Sequence, residues 1–451
     1  MPSNSTVQAA SPDNAVADRT RRLIARRLLP FLFVLYIANY LDRTNLAYAA
    51  LEMIRDLHFT DQIFGIGAGI FFIGYLGLQI PGALLVERWS ARRWIAAIMI
   101  VWGAFTVLTA AVHTARQLYG ARFLLGAAEA GFFPGIIVYV SHWFVREDRA
   151  KATGNFMAAI PLSFVIGSPL AGWIVEQHWL RMEGWRWLFV LEGLPAVILG
   201  AVTFFFLCDW PHDAAWLNSD ERAWIARQLQ QERAAKTNVQ AFTVWQALRY
   251  RPVILLTAVN FLQYIGFYSF VFWFPTMLKQ LSGLSDVRVG ILGALPYLAG
   301  FVALQINGWH SDRTLERRWH VAAPLFLGVV ALLALSLLHA STAIAVGLFT
   351  LVGISVIALL SPFWAIPTEL LSESGAAASV GMINCLGSLA GFVGPYALGY
   401  LHTRTGSFTP GLLVMVIAMA TGGVLVLFVP TPPGKAPQFP LPLPPTSHPA
   451  I

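Results

Sequence analysis

Charged residues and cysteines are scarce in this sequence. Of its 451 residues only 12% are charged, against about 25% in soluble domains, and 57% are hydrophobic. A chain this apolar cannot cover a surface that faces water, so much of its surface is expected to face lipid. The two cysteines, Cys208 and Cys385, have no spacing typical of a metal site. We expect no disulfide framework, no metal site and no cofactor.

The first 27 residues lack the apolar segment of a cleaved signal peptide. The formal net charge of the whole chain is +7. A basic balance can indicate nucleic-acid binding, but that requires basic residues clustered on one soluble face. Here the excess lies in short segments between apolar runs, so we expect no nucleic-acid partner and interpret it as a topology signal.

Twelve apolar runs are long enough to cross a bilayer, which takes roughly 20 residues of helix. They predict an all-α integral membrane protein, with spans 1 to 12 at 28–50, 62–86, 94–112, 117–140, 152–176, 187–207, 252–278, 288–309, 321–338, 342–364, 376–400 and 411–429. The central polar segment divides these spans into two halves of six. The predicted domains are an N-terminal tail 1–27, a six-helix bundle 28–207, a linker 208–250, a second six-helix bundle 251–429 and a disordered Pro-rich tail 430–451.

Lysine and arginine are distributed unequally between the two sides of this topology. With the N-terminus in the cytoplasm, 21 of the 30 lie in cytoplasmic segments and seven lie in outside loops. The two that remain, Arg43 and Arg122, fall inside spans. This excess predicts a multi-pass protein of the inner membrane with both termini and the linker in the cytoplasm. Within the linker, Asn218 followed by acidic residues predicts a polar helix to about residue 235.

The loop after the second span of each half repeats a pattern of charges. Residues 83–93 read ALLVERWSARR, and residues 308–318 read GWHSDRTLERR. The pair resembles the loop motif of the major facilitator superfamily. The resemblance implies two six-helix bundles around a cavity that opens alternately to each side. It also implies a gating role for the motif residues Glu87, Arg88, Asp312 and Arg313, although these arginines could instead serve topology alone.

Charged residues inside spans are costly and therefore indicate a functional site. Span 1 contains Asp42 and Arg43, and span 4 contains Arg122 and Glu129, seven residues apart on one helix face. Arginine offers a planar fork that matches a carboxylate, and a buried acid can hold a proton at neutral pH. This set suits exchange between a proton and an organic anion. Two alternatives remain open: structural salt bridges between spans 1 and 4, and an Asp42 that is solvated near the end of its span.

The second half has no charged residue at the centre of any predicted span. It is expected to contribute polar and aromatic contacts to the site, from Gln263, Tyr264, Tyr268 and Asn384. Of these, Tyr264 and Asn384 are the candidates for binding substrate, although each residue type is more often used for packing.

The charged pattern resembles the anion:cation symporter family. The stretches DRTN in span 1, RFLLGAAEAGFFPG in span 4 and INCLGSLAGFVGP in span 11 carry the resemblance, which covers nearly all of residues 28–429. It implies that Arg43 binds a substrate carboxylate, with Tyr75 at the site. It also implies that Asp42 and Glu129 carry protons and that Arg122 partners Glu129. The expected function is proton-coupled uptake of a small organic anion by a monomeric carrier.

Ile160 stands where some sugar-acid carriers of that family have glutamine. A smaller or more apolar acid, such as tartrate or an aromatic acid, is favoured accordingly. An efflux carrier is the alternative, because Gly167, Pro169 and Gly172 partly match a span 5 motif of exporters that Ser168 interrupts. A membrane enzyme is not expected, because histidines at membrane faces have no catalytic spacing. A channel is not expected either, because channels rarely repeat this loop pattern.

Overall fold

The computed structural model of the chain describes residues 12–236, 250–338, 341–370 and 373–430. Every regular element within these residues is helical. Twelve of the helices are long and apolar enough to cross a membrane, by length and composition. The predicted fold class, an all-α membrane protein with twelve spans, is confirmed.

Eight of the twelve spans are single helices in the described residues, and four are broken in two. The single helices, spans 1, 2, 3, 6, 7, 8, 9 and 12, are Pro12–Asp56, Asp61–Arg88, Ala91–Thr109, Gly184–Phe206, Arg251–Ser282, Asp286–Thr314, Arg318–Leu337 and Thr409–Val426. The broken ones, spans 4, 5, 10 and 11, are Ala115–Glu129 with Phe132–Trp143, Arg146–Met157 with Ala159–Val175, Thr342–Ala358 with Leu360–Leu370, and Glu373–Ser388 with Ala390–Thr405. Two short 3-10 helices, Trp179–Arg181 and Pro211–Asp213, lie in connections.

The breaks fall in the fourth and fifth spans of each half, so they repeat the internal symmetry of the sequence. A break frees backbone carbonyls, which need donors inside a membrane. The Trp94 indole donates to the Gly131 carbonyl in the span 4 break, at 3.2 Å. The Asn307 amide donates to the Ala358 carbonyl at the span 10 break, at 2.9 Å. Such interrupted helices are typical of the substrate path in transporters.

Span 1 begins well before its predicted start at residue 28. Its N-terminal extension is polar, so an apolar count does not detect it. Ion pairs with distant residues stabilise it instead: Arg19 Nε lies 2.9 Å from a Glu221 carboxylate oxygen, and Arg21 Nε lies 2.6 Å from one of Asp148. These contacts tie the start of the chain to the linker and to the connection between spans 4 and 5.

The polar helix predicted in the linker is present as Ser219–Lys236. Its start is capped reciprocally, since the Asn218 amide oxygen accepts from the Glu221 N–H at 2.8 Å and the Glu221 carboxylate accepts from the Asn218 N–H at 2.9 Å. Residues 237–249 of the linker and the predicted tail beyond residue 430 lie outside the described residues.

The two halves pack closely at one end of the molecule, where spans 5 and 8 cross and spans 2 and 11 cross. A Cβ atom added at Gly172 would lie only 2.5 Å from the Asp286 carbonyl oxygen. One added at Gly65 would lie 2.6 Å from the Pro395 carbonyl oxygen. Glycine is therefore required for this approach of the helix backbones, as at many membrane helix interfaces.

Polar contacts join the halves at the same end. The Asp61 carboxylate lies 2.5 Å from His402 Nδ1, and the Gln62 N–H donates to the Thr403 hydroxyl at 2.9 Å. We call this region, with the glycine crossings beside it, the closed end.

Replacing Gly172 with valine is expected to open the closed end, because the added side chain overlaps the Asp286 carbonyl. Overpacking of this kind costs roughly 1–3 kcal/mol, which shifts a two-state equilibrium about tenfold or more. The matched control is Gly154→Val, since Gly154 lies in the same span with nothing within 4 Å of an added Cβ. Transport rates and melting temperatures of the two variants check this. Equal values for both would contradict the role assigned to the crossing.

Candidate functional site

Arg43, Tyr75 and Glu129 come together from spans 1, 2 and 4. Arg43 donates its Nε–H to Glu129 Oε1 in a short ion pair, and the Asn39 amide donates to the same oxygen at 2.7 Å. The Glu129 side chain is fully buried, whereas 14% of the Arg43 side chain is exposed. Glu129 ends the first helix of broken span 4, beside the freed backbone. The pair is therefore buried on the acid side and accessible on the guanidinium side.

Three aromatic rings surround the Arg43 guanidinium. Its central carbon lies 4.9 Å from the ring centre of Tyr75, 5.2 Å from that of Tyr40 and 5.6 Å from that of Phe71. Cations are attracted to aromatic faces at these distances. The rings hold the guanidinium in one orientation without neutralising its charge, so it remains able to bind an anion.

A cavity runs from Arg43 to the second half of the molecule. Its lining comes from both halves and is mostly aromatic: Tyr40, Arg43, Thr44, Phe71, Phe72 and Phe164 with Phe267, Tyr268, Val271 and Phe272. Phe72 and Tyr268 meet across the two halves with ring centres 4.4 Å apart. Arg43 is the one cationic side chain among these lining residues, which makes it the point of attachment for an anion.

Arg122 is fully buried, and none of its guanidinium nitrogens has a hydrogen-bond partner within the described residues. Its central carbon lies 5.0 Å from the Phe71 ring centre. The prediction that Arg122 partners Glu129 is wrong in this structure, because Arg43 holds that carboxylate. Seven residues of helix separate Arg122 and Glu129 by about 10 Å along the axis, whereas Arg43 reaches Glu129 from a neighbouring span.

Asp42 is fully buried and faces span 3, where its Oδ2 accepts from the Trp102 indole N–H at 2.8 Å. The suggestion that Asp42 is solvated near the end of its span is therefore wrong. The expectation that it borders the same cavity as Arg43 is wrong as well, because Asp42 is absent from the cavity lining. Adjacent residues on a helix point about 100° apart, and here that turn separates cavity from bundle interior.

Glu192 in span 6 is a second buried acid of the first half, 5% exposed. Sequence analysis missed it, because attention went to spans that hold an acid beside an arginine. The signal was present in the sequence as a glutamate within the predicted span 187–207.

The polar residues predicted in the second half divide into two groups. The Gln263 amide donates to Asn260 at 2.7 Å, and Asn260 donates to the Ile383 carbonyl at 3.1 Å, so both hold span 7 against broken span 11. Tyr268 lines the cavity, and Tyr264 packs edge-on against it at 5.3 Å. Tyr264 and Asn384 are both half-buried, and their substrate contacts stay predictions.

The repeated loop forms ion pairs in its second copy. Arg317 lies 2.6 Å from Asp312 and 2.7 Å from Glu369, while Arg313 stacks on Trp309 at 4.2 Å. Glu369 lies within the last helix of span 10, not beyond the end of the span as predicted. The side chains of Glu87 and Arg88 lie outside the described residues. The gating role of this motif stays a prediction.

Three side chains outside the cavity are close enough together to share a metal ion: Glu52, His178 and Glu183. His178 Nε2 lies 3.2 Å from the Glu183 carboxylate and 4.0 Å from that of Glu52. The group belongs to the ion pairs in the outer connections of the first half and does not reach Arg43.

A model of the Major Facilitator Superfamily matches residues 32–395. A relative from Agrobacterium vitis, named a putative tartrate transporter, is 43% identical over 87% of this chain and 90% of its own length. A quinolone resistance transporter from Acinetobacter baumannii is 34% identical over 88% of this chain and 92% of its own length. The crystal structure of a bacterial homolog of the lysosomal transporter Spinster has a TM-score of 0.71 at 20% identity, covering 91% of this chain and 95% of that one. The chain belongs to the Major Facilitator Superfamily, within its family of tartrate- and sugar-acid-type anion transporters.

Proposed function

We propose that this protein takes up a small organic carboxylate, tartrate or a related acid, together with protons. The observation that carries the proposal is the ion pair between Arg43, the cation at the cavity, and the fully buried Glu129. An arginine that is already paired inside a low-dielectric site can bind a new anion only if its first partner gives up charge. A proton on Glu129 supplies that change.

The coupling follows from one exchange of partners. While Glu129 is ionised it holds Arg43, and the substrate carboxylate must compete with it. Protonation neutralises Glu129 and leaves Asn39 to hydrogen-bond the neutral acid, so Arg43 is released to the substrate. Because linkage is reciprocal, a bound anion favours the protonated acid as strongly as the proton favours anion binding. Proton and anion then cross together.

Movement across the membrane would use the two bundles as rigid halves. They pack through glycine crossings at the closed end, and those surfaces can separate when the cavity opens to the other side. We place the closed end outside and both termini in the cytoplasm of the bacterial inner membrane, because the arginine-rich segments lie at the opposite end. The carrier would act as a monomer in lipid.

Import is proposed over efflux. Gly172 and Ser168, part of the stretch that partly matches exporters, serve the packing of span 5 against span 8. The relative of higher identity is named for tartrate, whereas the quinolone resistance relative is less similar. Tartrate is therefore the first substrate to examine, followed by aromatic and sugar acids.

The test uses purified full-length protein in liposomes. We expect labelled tartrate, or another acid of the panel, to accumulate inside when the interior is made alkaline. A protonophore should collapse the accumulation, because the gradient supplies the driving force. Accumulation that is indifferent to the protonophore would overturn proton coupling. Transport that proceeds only in exchange against an opposing proton flow would favour the efflux alternative.

A further inference from the structure

A second buried polar cluster lies behind span 1, away from the cavity. Asp42 and Asn45 from span 1, Thr106 from span 3 and Glu192 from span 6 form it, and we call these four residues the rear cluster. Their exposed fractions are 0%, 1%, 0% and 5%. The cluster lies inside the first six-helix bundle and is not part of the site proposed for the anion.

Close packing of spans 3 and 6 builds the cluster. A Cβ atom added at Gly103 would lie 2.8 Å from the Gly193 carbonyl oxygen, and one added at Gly193 would lie 2.9 Å from that of Gly103. These glycines directly follow Trp102 and Glu192, so the crossing brings both side chains to the same level. Asp42 and Asn45 are three residues apart on one face of span 1 and complete the cluster.

Five side-chain atoms of the rear cluster are buried without a hydrogen-bond partner in the described residues. They are Asp42 Oδ1, Asn45 Oδ1, Asn45 Nδ2, Thr106 Oγ1 and Glu192 Oε2. A single buried polar atom left unpaired costs roughly 1–3 kcal/mol. A concentration of acceptors in one place indicates that the cluster binds something that donates to them.

The charges in the cluster decide what that ligand is. Glu192 interacts electrostatically with Asp42, and no cation is recorded acting on it. Two carboxylates that share a buried site cannot both be ionised without a counter-charge, so one of them takes a proton. That proton also supplies a donor to the unpaired oxygens of the cluster.

We infer that Asp42 and Glu192 share one proton and form a proton-binding site distinct from Glu129. This inference rests on the proposed function only for the use of the proton in coupling. Arg122 and Glu129 interact with Asp42 electrostatically, so ionisation at Glu129 is felt in the rear cluster. Arg122 also interacts with Glu129. The buried guanidinium thereby connects the two proton sites without bonding to either.

The first test needs no substrate. Infrared spectra of the purified full-length protein should contain the C=O stretch of a buried protonated carboxylic acid at neutral pH. We expect that band to lose intensity in Glu192→Gln and to shift in frequency in Glu192→Asp, which keeps a carboxyl group in a different position. The matched control is Glu147→Gln, a change at an acid whose side chain is 78% exposed. A band unchanged by both Glu192 substitutions would overturn the inference.

Glu192→Asp keeps the test decisive if Glu192→Gln does not fold, because the band must still shift. A sodium ion between two ionised carboxylates is the competing occupant. In that case the protonated band would be missing from the natural protein, and sodium chloride would raise its melting temperature where choline chloride does not. That result would also overturn the shared proton.

Transport provides a second, separable readout. If uptake is proton-coupled, Glu192→Gln should lower the ratio of protons to anions by about one while exchange of internal for external anion continues. An unchanged ratio together with an unchanged pH profile would contradict a coupling role for Glu192. A failure of the proposed function itself would appear differently, as uptake by the natural protein that ignores the proton gradient while the infrared result stands.

Discussion

Arg43→Ala is expected to reduce uptake to background. The guanidinium is the cation at the cavity, and truncating one partner of a buried charge pair costs about 2–5 kcal/mol, or roughly 30- to 4,000-fold in affinity. Arg43→Lys should restore little, because an ammonium group cannot bind a carboxylate through two parallel bonds. Uptake of labelled acid into liposomes, with binding measured by thermal shift, gives both quantities.

The Arg43→Ala protein should still fold. Glu129 is left without its cation, but a buried acid can take a proton and remain hydrogen-bonded to Asn39. Arg288→Ala is the matched control, since Arg288 is an exposed arginine in the first turn of span 8 and should transport normally. Arg122→Ala should also stop uptake in a folded protein. Normal transport by both the Arg43 and the Arg122 variants would refute the anion site.

Glu129→Gln is expected to separate exchange from accumulation. The amide keeps the shape of the protonated acid and cannot ionise, so Arg43 stays available for substrate. Counterflow of anion against anion should persist, whereas accumulation driven by a pH gradient should fall to the level of passive equilibration. Parallel measurements of counterflow and gradient-driven uptake in the same liposomes check the prediction.

Glu147→Gln serves as the control for Glu129→Gln, because Glu147 lies exposed in the first turn after span 4. It should retain both activities. If Glu129→Gln accumulated substrate in a protonophore-sensitive way, Glu129 would not be the residue that couples the proton to the anion.

The spans and the fold class could be predicted from composition alone. Crossing a bilayer imposes a local requirement, a run of apolar residues of fixed length, and each run can be recognised without knowing its neighbours. Charges inside such runs are equally visible, so Asp42, Arg43, Arg122 and Glu129 stood out as functional candidates. The family was recognisable too, because its motifs are short and contiguous.

Partner choice among those charges could not be predicted in the same way. Arg122 and Glu129 share a helix face, which suggested a pair, but Arg43 reaches Glu129 from another span and occupies it. The early start of span 1 has the same origin, since ion pairs of Arg19 and Arg21 with distant acids stabilise a polar segment.

The sequence by itself determined that this is a twelve-span carrier with charged residues in spans 1 and 4. Only the tertiary structure decided that Asp42 faces Glu192 and not the cavity. It also decided that Arg43, and not Arg122, holds Glu129. The physical reason is that burial cost depends on residue type, which the sequence displays, whereas charge pairing depends on distances between helices. Those distances are set by glycine crossings such as Gly103 with Gly193, which form only when the spans pack.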